Sequence, residues 1–366
     1  MAIDRFLEPK ASSWMANEGE NTDIAMSTRI RLARNLSEFK FPYAFTEDEA
    51  LKVDKAISSV LLDKGKDLDQ EFTHIDIHEV SSLHRELLVE KHLISPHLAS
   101  GVHSGSVMLS KNEELSIMIN EEDHLRIQSL QAGFRLQEAY KIANQLDSLL
   151  EENLQYAFHE KFGYLTSCPT NTGTGMRASV MLHLPALTMS QQITRIIPAI
   201  SRLGMVVRGI YGEGSEALGN VYQISNQLTL GKSEYEILQD LQNMTEQIIE
   251  QERRAREAIL SNSPLKLEDR IYRSLGVLTY SRLLTTEEAA KCLSDVRLGI
   301  DLKLIEKIDM SILNELMVFM QPAFLQHYSD RPLSPNERDI ARAKLFRERL
   351  KEEYKINGDK EGEDSI

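Results

Sequence analysis

The sequence predicts an α+β fold: a mostly antiparallel β-sheet flanked by helices, followed by a helical C-terminal region. Three observations carry that expectation. Short runs alternating apolar and polar residues recur through the first two thirds of the chain, and "VML" and "LSIMI" around "SKNEE" (107–119) form a hairpin pattern. Helical spacing is interleaved with them, as in "LQEAYKIANQLDSLLEENL" (136–154), where Leu146, Leu149 and Leu150 share an apolar face. From Lys232 onward the strand signals stop and amphipathic, charge-rich helical segments take over.

In chain order, "MSTRIRLARN" (26–35) reads as a strand that places Arg29 and Arg31 on one face, two residues apart. "FTHIDIHEVSSLHREL" (72–87) and "GSVMLSKNEELSIMIN" (105–120) alternate around short polar breaks. "FGYLTS", "SVMLHL" and "MVVRGIY" are further strands, with a helix near 188–202 before the last. In 233–260, Tyr235, Leu238, Leu241, Ile248 and Ile249 fall at helical spacing, and Ser-Asn-Ser-Pro at 261–264 ends that helix. The remainder to 352 is helical, and the polar residues 353–366 are expected to be disordered. Domains are expected at 1–256 and 257–352.

With 366 residues, 42% of them hydrophobic, the chain is long enough for two domains. Fifty-six acids against 42 bases leave −14, which weighs against nucleic acid or acidic membranes as partners. The start "MAIDRFLEPKASSWM" has no long apolar run, so neither a signal peptide nor a transmembrane helix is expected. Two cysteines, Cys168 and Cys292, suit a reduced cytoplasm rather than a disulfide framework.

The charges are unevenly placed. Between Lys161 and Gly212 there is no Asp or Glu, yet Arg177, Arg195, Arg202 and Arg208 are there. Buried guanidinium groups need anionic partners, so with local carboxylates excluded a bound anion is the expected counter-charge. "CPTNTGTGMRAS" (168–179) and "RGIYGEGSEALGN" (208–220) are glycine-bearing loops of the kind whose N–H groups approach phosphate oxygens. "GTGMRA" fits a dinucleotide pattern but lacks the downstream ribose-binding acid; a P-loop, the protein-kinase motif set and close-spaced zinc ligands are also missing. Taken together, Arg29, Arg31, Arg126, Arg177 and Arg208 suggest a cage for a polyphosphate. Beside them "NEEDHLR" crowds Glu121, Glu122 and Asp123 at a strand end, which points to a cationic second substrate.

"STRIRLARN", "INEEDHLRI", "GYLTSCPTNTGTGMRA" and "RGIYGEGSEALGNVYQISNQ", in this order over roughly residues 20–255, resemble the catalytic domain of the phosphagen (guanidino) kinases. The resemblance implies ATP as phosphoryl donor, with Mg²⁺ held through the nucleotide and no protein metal ligand. It implies that ATP is bound by Ser27, Thr28, Arg29, Ile30 and Arg31, by His92 and Arg126, by Arg177, Ala178, Ser179, Val180 and Met181, and by Arg208, Gly209, Ile210, Tyr211 and Gly212. Glu122 falls on the carboxylate that holds and deprotonates the guanidinium, Glu213 on a second substrate carboxylate, and Cys168 on a reactive cysteine. These kinases carry a small helical N-terminal domain before the catalytic motifs, whereas here the motifs begin almost at once; a helical C-terminal region follows them, and Met118 stands where the family has a tryptophan.

This combination is similar to the bacterial branch that phosphorylates arginine side chains of proteins. In that branch an R-D-x-x-R-A motif binds phosphoarginine and regulates activity; here it reads "RDIARA", Arg338, Asp339, Arg342 and Ala343 included. Arg338 and Arg342, four apart on one helix face, would make a fork for the phosphoramidate, with Asp339 on the guanidino N–H. The likeness also implies an activating adaptor, a Clp-type protease, a heat-shock repressor among the substrates, and a homo-oligomer. The alternatives are a kinase for a small free guanidino compound and a non-catalytic phosphoarginine-binding adaptor.

Overall fold

The computed structural model describes residues 3–8, 12–101, 104–209 and 217–360, with side chains as far as Lys351. Strands are β1 (Ala25–Arg34), β2 (Phe72–Asp76), β3 (Ser106–Ser110), β4 (Leu115–Ile119), β5 (Leu125–Ala132), β6 (Phe158–His159), β7 (Gly163–Tyr164), β8 (Met176–His183), β9 (Met205–Gly209) and β10 (Val221–Asn226). Eight of them form one sheet in the order β2-β3-β4-β5-β1-β8-β10-β9, antiparallel throughout, while β6 and β7 make a separate small hairpin. The predicted α+β class with its antiparallel sheet is what is observed.

Alternation explains how the sheet is buried. Ile30 and Leu32 of β1, Ile127 of β5, Val180 of β8 and Ile224 of β10 point to one face, where they pack with Val53, Ile57, Ala143, Leu146, Leu238 and Leu241. Those partners come from helices Glu47–Lys64, Leu136–Glu151 and Glu234–Asn262. The first begins with a capping box, Thr46 and Glu49 satisfying each other's backbone N–H groups. On the other face Met118, Leu130, Met181 and Val221 join Trp14, Leu87 and the C-terminal helices in a second core.

The C-terminal region, from helix Pro264–Tyr280 to helix Pro335–Lys360, therefore shares a core with the sheet. Buried guanidinium groups tie the two together. Arg297 donates to Thr22 O at 2.9 Å and to Asn314 Oδ1 at 2.5 Å. Arg256 reaches Glu252 at 2.9 Å, Asp301 at 3.1 Å and Asp23 O at 3.1 Å. Such pairs fix an arrangement more than they stabilise it, because the ions lose their water. Among the described residues no helix is long and apolar enough to cross a membrane.

Several local expectations change. The alternating run 72–87 is a strand only to Asp76; Ser81 then accepts a hydrogen bond from His84 N–H and starts helix Ser82–Glu90. "FGYLTS" contributes only the two-residue β7 and lies outside the main sheet. Helix Glu234–Asn262 ends within Ser-Asn-Ser-Pro as its sequence predicts, but it runs unbroken through 256, where the first domain was expected to end. The last helix continues to Lys360, past the point where polar composition suggested that order stops.

Candidate active site

The acid run "NEEDHLR" forms the turn between β4 and β5, and its three carboxylates have three different environments. Glu121 is buried: one oxygen accepts from Ser95 Oγ at 2.6 Å, and the other meets Arg126 Nη1 at 2.6 Å and Glu122 N–H at 3.0 Å. Asp123 is fully buried, accepting from Asn35 Nδ2 at 2.7 Å and from Ser167 N–H at 2.6 Å. Burial pushes its carboxyl up despite these bonds. Only Glu122 faces solvent substantially, with Oε2 at 2.6 Å from Arg126 Nη2. The crowding is thus offset by one guanidinium bridging Glu121 and Glu122, and by taking Asp123 into a structural hydrogen-bond set. Arg126, expected to face the nucleotide, is turned toward these acids.

His124 completes the turn's anchor. Nδ1 accepts Leu36 N–H at 3.0 Å, Nε2 lies 2.9 Å from Lys40 O, and the rings of Phe39, Phe41 and Phe45 surround it. Burial holds this imidazole down to about 4, so it is a neutral scaffold group.

Strand register gathers the arginines. Residues directly paired across antiparallel strands share a face. Arg31 pairs with Arg177 and Gln128, Arg29 with Ser179 and Leu130, Ala33 with Arg126, and Arg208 with Gln223, which itself pairs with Met181. Arg29, Arg31, Arg126, Arg177 and Arg208 thus stand on one face of β5, β1, β8 and β9. Thr28, Ile30, Ala178 and Val180, expected to touch ATP, alternate to the opposite, core-facing side; their backbone, not their side chains, borders the row.

Two nitrogens in this row are buried without a hydrogen-bond partner, Arg31 Nε and Arg177 Nε. Burial, then Arg29, Arg126 and Arg177, push the Arg31 guanidinium well below its ordinary range. Arg177 is lowered by burial, then by Arg208 and Arg126. Arg29 Nη2 donates to Gln223 Oε1 at 2.6 Å. Such a surplus of partly desolvated positive charge fits an anion with several oxygens. Arg195 and Arg202, counted with these from the acid-free run, lie exposed on helix Ile193–Arg202 and belong to no such row.

Beyond Arg29 the row ends in a small pocket lined by Trp14, Ser27, His92, Ser179, Met181 and Gln223. Sequence reasoning named Ser27, His92, Ser179 and Met181 as nucleotide contacts, and it did not single out Trp14 and Gln223, which line the same pocket. Burial and then Arg29 hold His92 down to about 3, hence neutral.

The segment 163–175 lies beside the acid turn. Asp123 holds Ser167, next to Cys168, whose Sγ is 3.0 Å from Thr170 Oγ1; the thiol is half-buried and free. The glycines here serve the chain itself. A side chain on Gly173, at φ +119°, would come within 2.1 Å of Thr229 O, and Gly175 packs on Ala33 O and Arg34. The Gly173 N–H is bonded to Tyr164 O, so the expected phosphate cradle is instead a close backbone crossing. Ile210, Tyr211, Gly212 and Glu213 lie outside the described residues.

In the C-terminal region Arg338 lines a cavity of about 760 Å³ between helices Ser82–Glu90 and Pro322–Tyr328, with His84, Glu86, Glu90 and His327. Arg342 does not line it. Its side chain is buried, donating to Met320 O at 2.9 Å, Leu284 O at 2.8 Å and Asp339 Oδ1 at 2.7 Å, and Ala343 is fully buried. The two-arginine fork therefore separates into Arg338 at the cavity and Arg342 as a brace.

Glu90 accepts from Ala323 N–H at 2.7 Å and Phe324 N–H at 2.9 Å, and burial pushes its carboxyl up to about 7. A carboxyl raised in the fold favours folding below its ordinary pKa, and this contribution is lost as pH rises through about 7. Denaturant midpoints should accordingly fall between pH 5 and 8, roughly the window on either side of that titration. Glu90→Gln should flatten the fall, and an unchanged slope in that variant contradicts the assignment.

Comparison with known proteins shows the family. The family model described as "ATP:guanido phosphotransferase, C-terminal catalytic domain" matches residues 52–255, and "Protein-arginine kinase McsB C-terminal domain" matches 264–361. The protein-arginine kinase of Geobacillus sp. (strain WCH70) is 55% identical over 353 residues, 96% of this chain and 98% of that one. That of Bacillus subtilis (strain 168) is 54% identical over the full length of both. Among solved structures, lombricine kinase aligns over 68% of this chain and 70% of its own, at TM-score 0.56 and 26% identity. The duplicated taurocyamine kinase from Schistosoma mansoni, with transition state analog components bound, aligns over 68% of this chain and 36% of its own, at TM-score 0.57 and 25% identity. With its sheet, arginine row and acid turn in place, and with full-length relatives at such identity, the chain belongs to the protein-arginine kinases of the ATP:guanido phosphotransferase family.

Proposed function

We propose that this chain transfers the γ-phosphoryl group of ATP to arginine side chains of proteins. The observation that carries the reading is the arginine row with its two unpartnered buried nitrogens, ending at the solvent-facing carboxylate of Glu122.

The row gives the nucleotide a direction. With γ-phosphate at Arg126 and Glu122, the phosphates pass Arg31, Arg177 and Arg29, and the nucleoside end points toward Ser27, His92 and Gln223, whose cavity of about 10 Å³ must widen to admit it. From Ala33, the partner of Arg126, to Ser27 is six residues of strand, roughly 20 Å. That span suits an extended nucleoside triphosphate. Arg208 stands across β10 and β9 from the same row.

Glu122 receives the incoming guanidinium, exchanging its pairing with Arg126 for the substrate cation. As the guanidino nitrogen attacks γ-phosphorus, the P–N bond forms, the bond to the β-phosphate oxygen breaks, and the nitrogen's proton passes to the Glu122 carboxylate. Arg126, released toward the phosphates, and Arg31 and Arg177 stabilise the charge on the transferring oxygens. Mg²⁺ bound to the nucleotide would supply further charge neutralisation of the phosphates beside these arginines. Glu213 orients the guanidinium, and Cys168, held near the acid turn through Ser167 and Asp123, lies against it.

Arg338 in its cavity is a receptor for the phosphate of a phosphoarginine, with Glu86 or Glu90 for the guanidino N–H; Arg342, paired with Asp339, braces the helix that carries Arg338 from outside the cavity. A cytoplasmic location, an activating adaptor, a Clp-type protease, a repressor substrate and a homo-oligomer rest on the family likeness alone. ATP consumption measured with an unfolded arginine-containing protein and with free arginine tests the main reading. Turnover with the protein supports it; turnover with free arginine alone would make this a kinase of small guanidines, as the names of the solved relatives would suggest.

A further inference from the structure

We propose that Trp14 is a positioning residue of the nucleotide site, holding His92 at the nucleoside end of the arginine row and making the N-terminal segment part of the ATP pocket. The inference rests on the nucleotide reading above and adds to it a residue that none of the sequence motifs contains.

The contacts are specific. The indole N–H donates to Lys91 O at 3.1 Å, and the indole meets the His92 ring edge-on, centroids 5.0 Å apart at 81°. Both rings line the pocket that also holds Ser27, Arg29, Ser179 and Gln223. His92 follows directly on helix Ser82–Glu90 and its cap Lys91, with φ at +61°, a conformation that a non-glycine residue keeps only when its surroundings fix it.

Those surroundings come largely from the N-terminal segment. Lys91, buried, donates to Phe6 O at 2.9 Å and pairs with Glu113 at 2.6 Å, while Ser12 also bonds Glu113. On the other side Gln128, the strand partner of Arg31, donates to His92 O at 2.9 Å. The peptide of His92 is thus held between the N-terminal segment and the arginine row itself.

The His92 ring lines the nucleoside end of the row beside Trp14, where a ribose or base would meet it. Its use depends on ring orientation, and Trp14 sets that orientation from behind. The same packing would also be found around an ordinary core tryptophan, so the discriminating readout is nucleotide affinity rather than stability.

Trp14 is the only tryptophan in the chain, so intrinsic emission reports on this position alone. Titrating ADP into the intact wild-type chain should change that emission saturably, with the midpoint that calorimetry gives for ADP binding. Trp14→Ala should raise KM for ATP about tenfold with kcat within about twofold. Trp14→Phe, which keeps an edge-on ring, should recover most of the loss. In a His92→Ala background, Trp14→Ala should add less than about a twofold further effect, because the two act as one unit. Emission unchanged at calorimetric saturation with ADP, or additive effects of the two substitutions, overturns the proposal while leaving the nucleotide reading intact. Absence of calorimetric ADP binding by the wild-type chain overturns both. If Trp14→Ala does not fold, the wild-type titration and the Trp14→Phe variant still decide.

Discussion

Glu122→Gln should lower kcat for phosphoryl transfer to protein arginine by about 10³-fold, roughly 4 kcal/mol in the barrier, while KM for ATP stays within about threefold. Glutamine keeps an oxygen for Arg126 and for the substrate N–H, so geometry is conserved and proton acceptance is lost. The neighbouring acid supplies the contrast. Glu121 is buried and already bonded to Ser95, Arg126 and the Glu122 backbone. Glu121→Gln should therefore cost stability before chemistry, seen as a lower thermal midpoint with kcat reduced far less than in Glu122→Gln. Steady-state kinetics of both variants check this, and comparable kcat for Glu122→Gln and the wild type would remove Glu122 as the base.

Arg31→Met should do two opposite things. In the nucleotide-free protein it should raise stability by about 1–2 kcal/mol, a gain of roughly 2–4 °C in thermal midpoint. The reason is the environment of Arg31: its Nε is buried without a partner, and its charge is opposed by burial and by Arg29, Arg126 and Arg177. A methionine of similar length removes that cost. The same change should reduce kcat/KM by about 10²–10³-fold, because a central phosphate-facing donor is gone. Nucleotide at about 100 times its Kd should stabilise the wild type by about 2.7 kcal/mol and the variant hardly at all. Thermal melts with and without ADP test both halves. A lower midpoint for the nucleotide-free variant would mean that Arg31 has a satisfied partner in the folded chain.

What the sequence revealed and what it hid divide along physical lines. Period-two spacing in β1 and the hairpin of β3 and β4 were legible because alternation against a buried face leaves a local signature. That Arg29 and Arg31 share a face was legible from period-two spacing, whereas the acid-free run pointed to Arg177 and Arg208 but equally to Arg195 and Arg202, which lie exposed on a helix. Individual orientations were not legible. Arg126 sits in the motif of a nucleotide ligand yet bridges Glu121 and Glu122, and Arg342 sits four residues from Arg338 yet braces Met320 and Leu284. Both depend on groups brought close by folding.

Glycine was misread for a similar reason. Gly173 and Gly175 permit close backbone crossings with Thr229 and Ala33, contacts that no spacing within 168–179 encodes. Some misses did carry a signal. Thr46 with Glu49 is a capping box readable in "FTEDEA", and Ser81 marks the start of a helix inside a run that otherwise alternates. Trp14 carried none, because its relation to His92 spans 78 positions of chain and arises only when the N-terminal segment docks.

The central claim, phosphoryl transfer to arginine side chains of proteins, is met most directly by mapping the product. The intact chain is incubated with ATP, Mg²⁺ and an unfolded arginine-containing protein, and the product is kept from acid, which cleaves P–N bonds, and then sequenced by mass spectrometry. Phosphate on arginine side chains with the wild type, and none with Glu122→Gln, is the expected result. Phosphate on serine, threonine or tyrosine, or an unmodified protein despite bound ATP, would contradict it.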